Sequence, residues 1–171
     1  TNVEGMCSRG RAKVGRRLIF TPIERPIVAQ IWGLDPLKFL ETAKLIKQMG
    51  FDGIDINMGC PEKSIVKKGS CAALINNHSL AKEIILATRE GGLPISVKTR
   101  IGIENIQTEE WGGFLLGFNL DCLIIHGRTV TEMSDAPNHW DEIGKVVRLR
   151  DSMKLKTLII GNGDVKSLQE A

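Results

Sequence analysis

Several features are missing from this 171-residue chain, and each absence removes a class of protein. No stretch approaches about 18 uninterrupted apolar residues, so a membrane-spanning helix is excluded. No initiator methionine, charged n-region or apolar h-region opens the sequence, so no secretory signal is visible. Thr1-Asn2-Val3 instead reads as the start of a segment cut from a longer chain. Cys7, Cys60, Cys71 and Cys122 show neither C-x-x-C spacing nor a nearby histidine ladder, which argues against a disulfide framework and against zinc. No metal is expected, and reduced thiols in a cytoplasmic protein fit better.

The composition is that of a folded domain. Hydrophobic residues make up 42% of the chain and the net charge is only +3, the opposite of the balance that keeps a chain disordered. The basic residues are nevertheless grouped. Arg9, Arg11, Lys13, Arg16 and Arg17 fall together, and Lys63, Lys67 and Lys68 form a second set. Such groups either mark a polyanion site or form a solvated face.

Short β-branched runs alternate with helical patterns along the chain. The runs are 27–31, 53–57, 95–98, 122–126 and 157–161, with a sixth strand expected near Gly5-Met6-Cys7. Asp35-Pro36 is an N-cap followed by proline at the first helical position. Phe39, Ala43, Ile46 and Met49 then line one face, and Gly50 ends the helix. Further helices are predicted from about Ser79 to Glu90, from Thr108, over Trp140 to Arg150, and from Asp164 as an N-cap. Strands alternating with helices imply a parallel α/β sheet, and a step of roughly 30 residues matches a (β/α)8 TIM barrel of about 250 residues. The rival doubly wound sheet wants a glycine-rich fingerprint after its first strand, and none is present. The expectation is an incomplete barrel, about strands 2–7 of eight.

In such barrels the C-terminal rim of the strands holds the active site. Here that rim reads Gln30, then Asn57-Met58-Gly59-Cys60-Pro61, Lys98-Thr99-Arg100, His126-Gly127-Arg128-Thr129 and Gly161-Asn162-Gly163-Asp164. Cys60, between Gly59 and Pro61, is expected in a turn at the mouth, the alternative being a small buried apolar residue. Cys122 is read as core and Cys7 as structural, while Cys71 is open. Lys98 could neutralise a developing anion or bind phosphate, and His126 could donate to a ligand carbonyl or be structural. Gly161-Asn162-Gly163-Asp164 is either a phosphate-binding segment or a turn with an N-cap. His78 and His139 take structural roles, and Trp32, Trp111 and Trp140 are packing anchors.

Taken in order, Asp55-Ile56-Asn57-Met58-Gly59-Cys60-Pro61, Val97-Lys98-Thr99-Arg100, Ile125-His126-Gly127-Arg128-Thr129 and Gly161-Asn162-Gly163-Asp164 resemble the tRNA-dihydrouridine synthases. The resemblance implies that residues 1–171 are part of an FMN-binding catalytic barrel, with NADPH as reductant and tRNA uridines as substrate. It makes Cys60 the proton donor to C5 of the uracil, hydride going from reduced flavin to C6. Gln30, Lys98 and His126 match positions around the isoalloxazine ring, and Asn162, Gly163 and Asp164 match the FMN-phosphate segment. Asn57 and Arg100 are assigned to flavin or the flipped uridine, and Lys67 and Lys68 to the tRNA backbone. A free cysteine has a pKa of about 8.5, so its thiol is mostly protonated at neutral pH and suits an acid.

The chain also departs from the family pattern. The first strand with its Pro-Met motif, the last strand with its Gly-Arg phosphate clamp, and the C-terminal helical tRNA-binding domain are absent, and Cys71 stands where a small residue, commonly glycine, is expected. Two other readings stay open at this point: another FMN barrel oxidoreductase of the dihydroorotate dehydrogenase kind, and a non-catalytic barrel fragment that binds RNA.

Overall fold

A computed structural model describes residues 1–9 and 11–170. The chain opens with two short helices, α1 (Val3–Met6) and α2 (Arg11–Gly15). Strands and helices then alternate: β1 (Val28–Ile31), α3 (Pro36–Gln48), β2 (Gly53–Met58), α4 (Lys63–Val66), α5 (His78–Arg89), β3 (Ile95–Arg100), α6 (Thr108–Leu116), β4 (Cys122–His126), α7 (Trp140–Ser152) and β5 (Leu158–Asn162). The sheet is wholly parallel and its spatial order is β1-β2-β3-β4-β5. Strand order follows chain order without a reversal, so this is not a doubly wound sheet, which reverses at a switch point. Consecutive βα units of a barrel give this arrangement.

The elements form for local reasons. The Asp35 side chain accepts from the N–H groups of Leu37 (3.0 Å) and Lys38 (3.4 Å), Pro36 needs no partner for a missing N–H, and Gly50 leaves the helix at φ +87°. Asn77 caps α5 through Leu80 N–H, and Glu109 and Glu110 stand at the positive end of α6. One face of the sheet, with Ile31, Ile54, Ile56, Met58, Val97, Leu123 and Ile125, is buried together with Phe39 and Ile46 of α3, Ile84 and Ile85 of α5, and Leu115 of α6. Each such side chain contributes about 1.5–3 kcal/mol by leaving water.

The opposite face is different. Val28, Leu158 and Ile160 on it are 51%, 56% and 42% exposed, so no helix covers them. They border a trough of about 480 Å³ that also contains Gln30, Asp55, Ser96 and Cys122.

Three expectations are corrected. The segment near Gly5-Met6-Cys7 is not a strand, because Asn2 accepts from Gly5 N–H (2.8 Å) and starts α1. Pairing with the end of β1 is confined to the residues before it, through Val3 N–H to Trp32 C=O and Trp32 N–H to Thr1 C=O. Nor does Asp164 start a helix among the described residues. Its carboxylate is held by Arg128 and its φ is +56°, a left-handed conformation that interrupts a helix. Cys122 lies on the trough face rather than in the core beneath the helices. Cys7 is exposed. Of the tryptophans, Trp111 is buried, whereas Trp140 is 46% exposed, although its ring covers Gly161.

Candidate active site at the strand tips

Alternation along a strand decides which residues meet. The register pairs Asn57 with Lys98, Arg100 with His126 and His126 with Asn162. These side chains share the trough face of the sheet at its C-terminal end, and Gln30 joins them beside Asp55. On that face the row Gln30, Asp55 and Ser96 runs into Cys122 and Leu158, and the row Asn57 and Lys98 runs into Ile124 and Ile160. Polar groups thus gather toward β1–β3 and apolar ones toward β4 and β5.

Cys60 follows directly on β2. The Asn57 side-chain oxygen accepts from the N–H groups of Gly59 (3.1 Å) and Cys60 (2.9 Å), an Asx turn that fixes the chain as it leaves the strand. Gly59 lies close against the next strand, where a Cβ would come 3.0 Å from the backbone carbon of Thr99 and press on β3. Arg100 fastens the same turn from the next strand. Its Nε donates to Gly59 C=O (3.1 Å) and its Nη1 to Thr129 C=O (2.9 Å) and Met133 C=O (3.4 Å). The loop folds back on itself, with Ala72 N–H donating to Cys60 C=O. Cys71 is buried, and burial pushes its thiol up to about 12, so it is not a thiolate nucleophile at neutral pH. Cys60 is partly exposed.

Behind the turn runs a continuous chain of hydrogen bonds. Ser96 Oγ donates to Asp55 Oδ1 (2.6 Å), Gln30 Nε2 to Asp55 Oδ2 (2.8 Å), and Asn57 Nδ2 to Gln30 Oε1 (3.1 Å). Burial raises the pKa of the Asp55 carboxyl, while Ser96, Gln30 and the Lys98 charge pull it the other way.

The rest of the rim is electropositive. Burial, then the neighbouring Arg100, lowers the pKa of Lys98, whose Nζ donates to Asn162 Oδ1 (2.9 Å). Burial and the charges of Arg100, Lys98 and Arg128 lower His126 to about 4, so the ring is neutral at pH 7. Its Nε2 stands 3.3 Å from Arg128 Nη1, which can only donate, so Nδ1 carries the proton. Arg128 also donates through Nε to Ala136 C=O and grips both oxygens of Asp164 through Nη2 (2.7 and 2.6 Å). Gly163 sits at φ +126° against the His126 ring and the Asn138 amide, and both polar atoms of that amide are buried without a partner.

Lys67 and Lys68 are exposed just beyond α4, and neither they nor Lys63 is in an ion pair among the described residues. Lys68 borders a second cavity of about 430 Å³ with Trp32 and Glu4. His78 stacks on Phe114 and Trp111, and His139 Nε2 meets Glu132 at 2.8 Å. Asp55, Ser96 and Arg128 organise the site; Arg128 stands in the rim and Asp55 in the first motif, but none of the three is assigned a role from sequence. A charged Asp55 between Ile54 and Ile56, in a run that otherwise reads as buried, was the available signal.

The family profile described as Dihydrouridine synthase (Dus) matches residues 6–171. The chain belongs to the dihydrouridine synthase family. It is 44% identical over 167 residues to a "Probable tRNA-dihydrouridine synthase" of Staphylococcus aureus (strain COL), covering 96% of this chain and 51% of the relative. It is 41% identical over 171 residues to "Probable tRNA-dihydrouridine synthase 2" of Bacillus subtilis (strain 168), covering 99% and 53%. A Staphylococcus epidermidis relative (strain ATCC 12228 / FDA PCI 1200) with the same name as the first is 42% identical over 171 residues, covering 99% and 52%. The chain thus spans about half the length of these curated relatives. Among the described residues, no helix of this family member is long and apolar enough to cross a membrane, and no group of three His, Cys, Asp or Glu side chains is placed to hold a metal ion.

Proposed function

We propose that residues 1–171 form part of the catalytic (β/α)8 barrel of an enzyme that reduces uridine in tRNA to 5,6-dihydrouridine, with FMN at the strand tips and NADPH as the reductant. The observation that carries this reading is the Asn57-to-Cys60 turn, which puts a partly exposed cysteine at the C-terminal end of β2, where Arg100 fastens the turn from β3. The donor set fits a flavin mononucleotide. The Gln30 amide, the Lys98 ammonium and the neutral His126 Nδ1–H offer donors and acceptors to the polar edge of a ring. Asn162, Gly163 and Asp164 would hold the phosphate through backbone N–H groups, the Asp164 carboxylate being neutralised by Arg128, beside an Asn138 amide that lacks a partner. FMN, when bound and reduced, supplies the hydride that C6 of the uracil receives.

Cys60 completes the addition by giving its thiol proton to C5, where the enolate charge would otherwise remain. Asn57 and Arg100 face the uracil or the flavin, although the Arg100 guanidinium is also engaged by three backbone carbonyls. Lys98 offsets negative charge developing on the base. The uridine must leave its stack to reach such a site, and Lys67 and Lys68 suit the phosphates beside it. Cys60→Ala tests the assignment. Mass spectrometry of tRNA exposed to the variant should show no dihydrouridine while the visible flavin absorbance is kept. Product at the parent level would remove Cys60 from the reaction, and reduction of free pyrimidines in preference to tRNA would replace the substrate class.

A further inference from the structure

We infer that Asp55 is a positioning residue for the Cys60 turn, acting through Gln30 and Asn57. The inference deepens the proposed function, since it rests on Cys60 being the acid. Both Asp55 oxygens accept here, one from Ser96 Oγ and one from Gln30 Nε2, so Gln30 turns its NH2 group toward Asp55. That leaves Gln30 Oε1 to face Asn57, which must answer with its own NH2. Asn57 Oδ1 is then the atom left for the N–H groups of Gly59 and Cys60, which only donate. Both ends of the relay have fixed polarity, so the two amides between them have one arrangement. Reversing either would set oxygen against oxygen and N–H against N–H. Ser96 Oγ holds the second Asp55 oxygen at 2.6 Å and fixes the carboxylate itself.

The relay crosses three strands, β1 through Gln30, β2 through Asp55 and Asn57, and β3 through Ser96. Asp55 is only 6% exposed, so water competes little for its oxygens. A purely electrostatic role for the carboxylate predicts sensitivity to loss of charge. The relay predicts sensitivity to loss of an acceptor.

Residue-resolved amide hydrogen exchange separates the two. Asp55→Leu fills similar space without an acceptor, and the Gly59 and Cys60 amides should exchange about tenfold faster, the worth of about one net hydrogen bond, while those of α5 do not change. Asp55→Asn keeps an acceptor oxygen and lets Ser96 Oγ accept in turn, so it should restore exchange to within about twofold of the parent. Gln30→Met cuts the relay in the middle and serves if the Leu variant does not fold; it should give the same acceleration, and the double variant should be no worse than either single change. Unchanged exchange in both Asp55→Leu and Gln30→Met, equal effects of Leu and Asn at position 55, or additive effects in the double variant would overturn the relay. In the tRNA assay of the flavin-loaded protein, Asp55→Leu should lower kcat and leave KM for tRNA alone. A parent protein that makes no dihydrouridine would overturn the proposed function, and the relay would still be decided by exchange.

Discussion

His126 is surrounded by guanidinium and ammonium groups and partly withdrawn from water, and this gives its ring a definite titration. Its pKa falls from 6.5 to about 4 in the folded chain. A base whose folded pKa is depressed contributes stability that is fully present above the unfolded pKa and is lost as pH falls toward the folded one. Stability should therefore decline between about pH 6.5 and pH 4, and His126→Gln should flatten that part of the profile. An NMR titration of the His126 ring reads the value directly, and a midpoint near 6.5 would contradict the environment described. Under the proposed function, the same feature suits a flavin-binding rim. A neutral ring with its proton on Nδ1 can donate to a carbonyl without adding another cation to a rim that already holds Lys98, Arg100 and Arg128.

At the scale of elements, the segment after β5 carries the sharpest constraint. Gly163 lies at φ +126°, and a Cβ there would stand 2.3 Å from Asn138 Oδ1 and 3.0 Å from the His126 ring. Gly163→Ala should cost at least about 1–3 kcal/mol from backbone strain alone, visible as a lowered denaturation midpoint. An unshifted midpoint would mean that the turn relaxes freely. Local signals found the elements that depend on local causes. The Asp35-Pro36 cap, the apolar residues Phe39, Ala43 and Ile46 of α3 and the β-branched runs all lie within a few residues of what they determine, and those elements formed where expected. The failures have causes of two kinds. Asp164 is drawn from helix capping by Arg128, 36 positions earlier, whereas Gly5 is drawn from a strand by a local cap, Asn2, that periodicity does not register. The site divides in the same way. The rim could be read from strand ends, whereas the bond from Ser96 to Asp55 depends on register between β2 and β3. Cys122 was misplaced because alternation fixes two faces without saying which one the helices cover.

For the whole molecule, the uncovered face of the sheet decides behaviour in solution. Val28, Leu158 and Ile160 are exposed together along the trough, and β1 and β5 stand at the two ends of the sheet order. Apolar patches and unpaired edges of this kind recruit partners or aggregate. The 171-residue chain should bind a hydrophobic dye such as ANS while cooperatively folded, and Leu158→Lys should reduce the signal without lowering the unfolding midpoint. Dye fluorescence unaffected by that change would place the apolar surface elsewhere.

The parity of β2 has a consequence for how this chain can vary in length. Asp55 and Asn57 belong to one side of the strand and Ile54, Ile56 and Met58 to the other. Removing a single residue within it would transpose the two sets, immersing a carboxylate among the helices and offering isoleucine to the solvent, and the thiol downstream would swing with them. Insertions and deletions are therefore ruinous inside the strands, and better tolerated only where a connection is exposed, unlike the stretch between α4 and α5, whose Cys71, Ala72, Leu74 and Ile75 are buried.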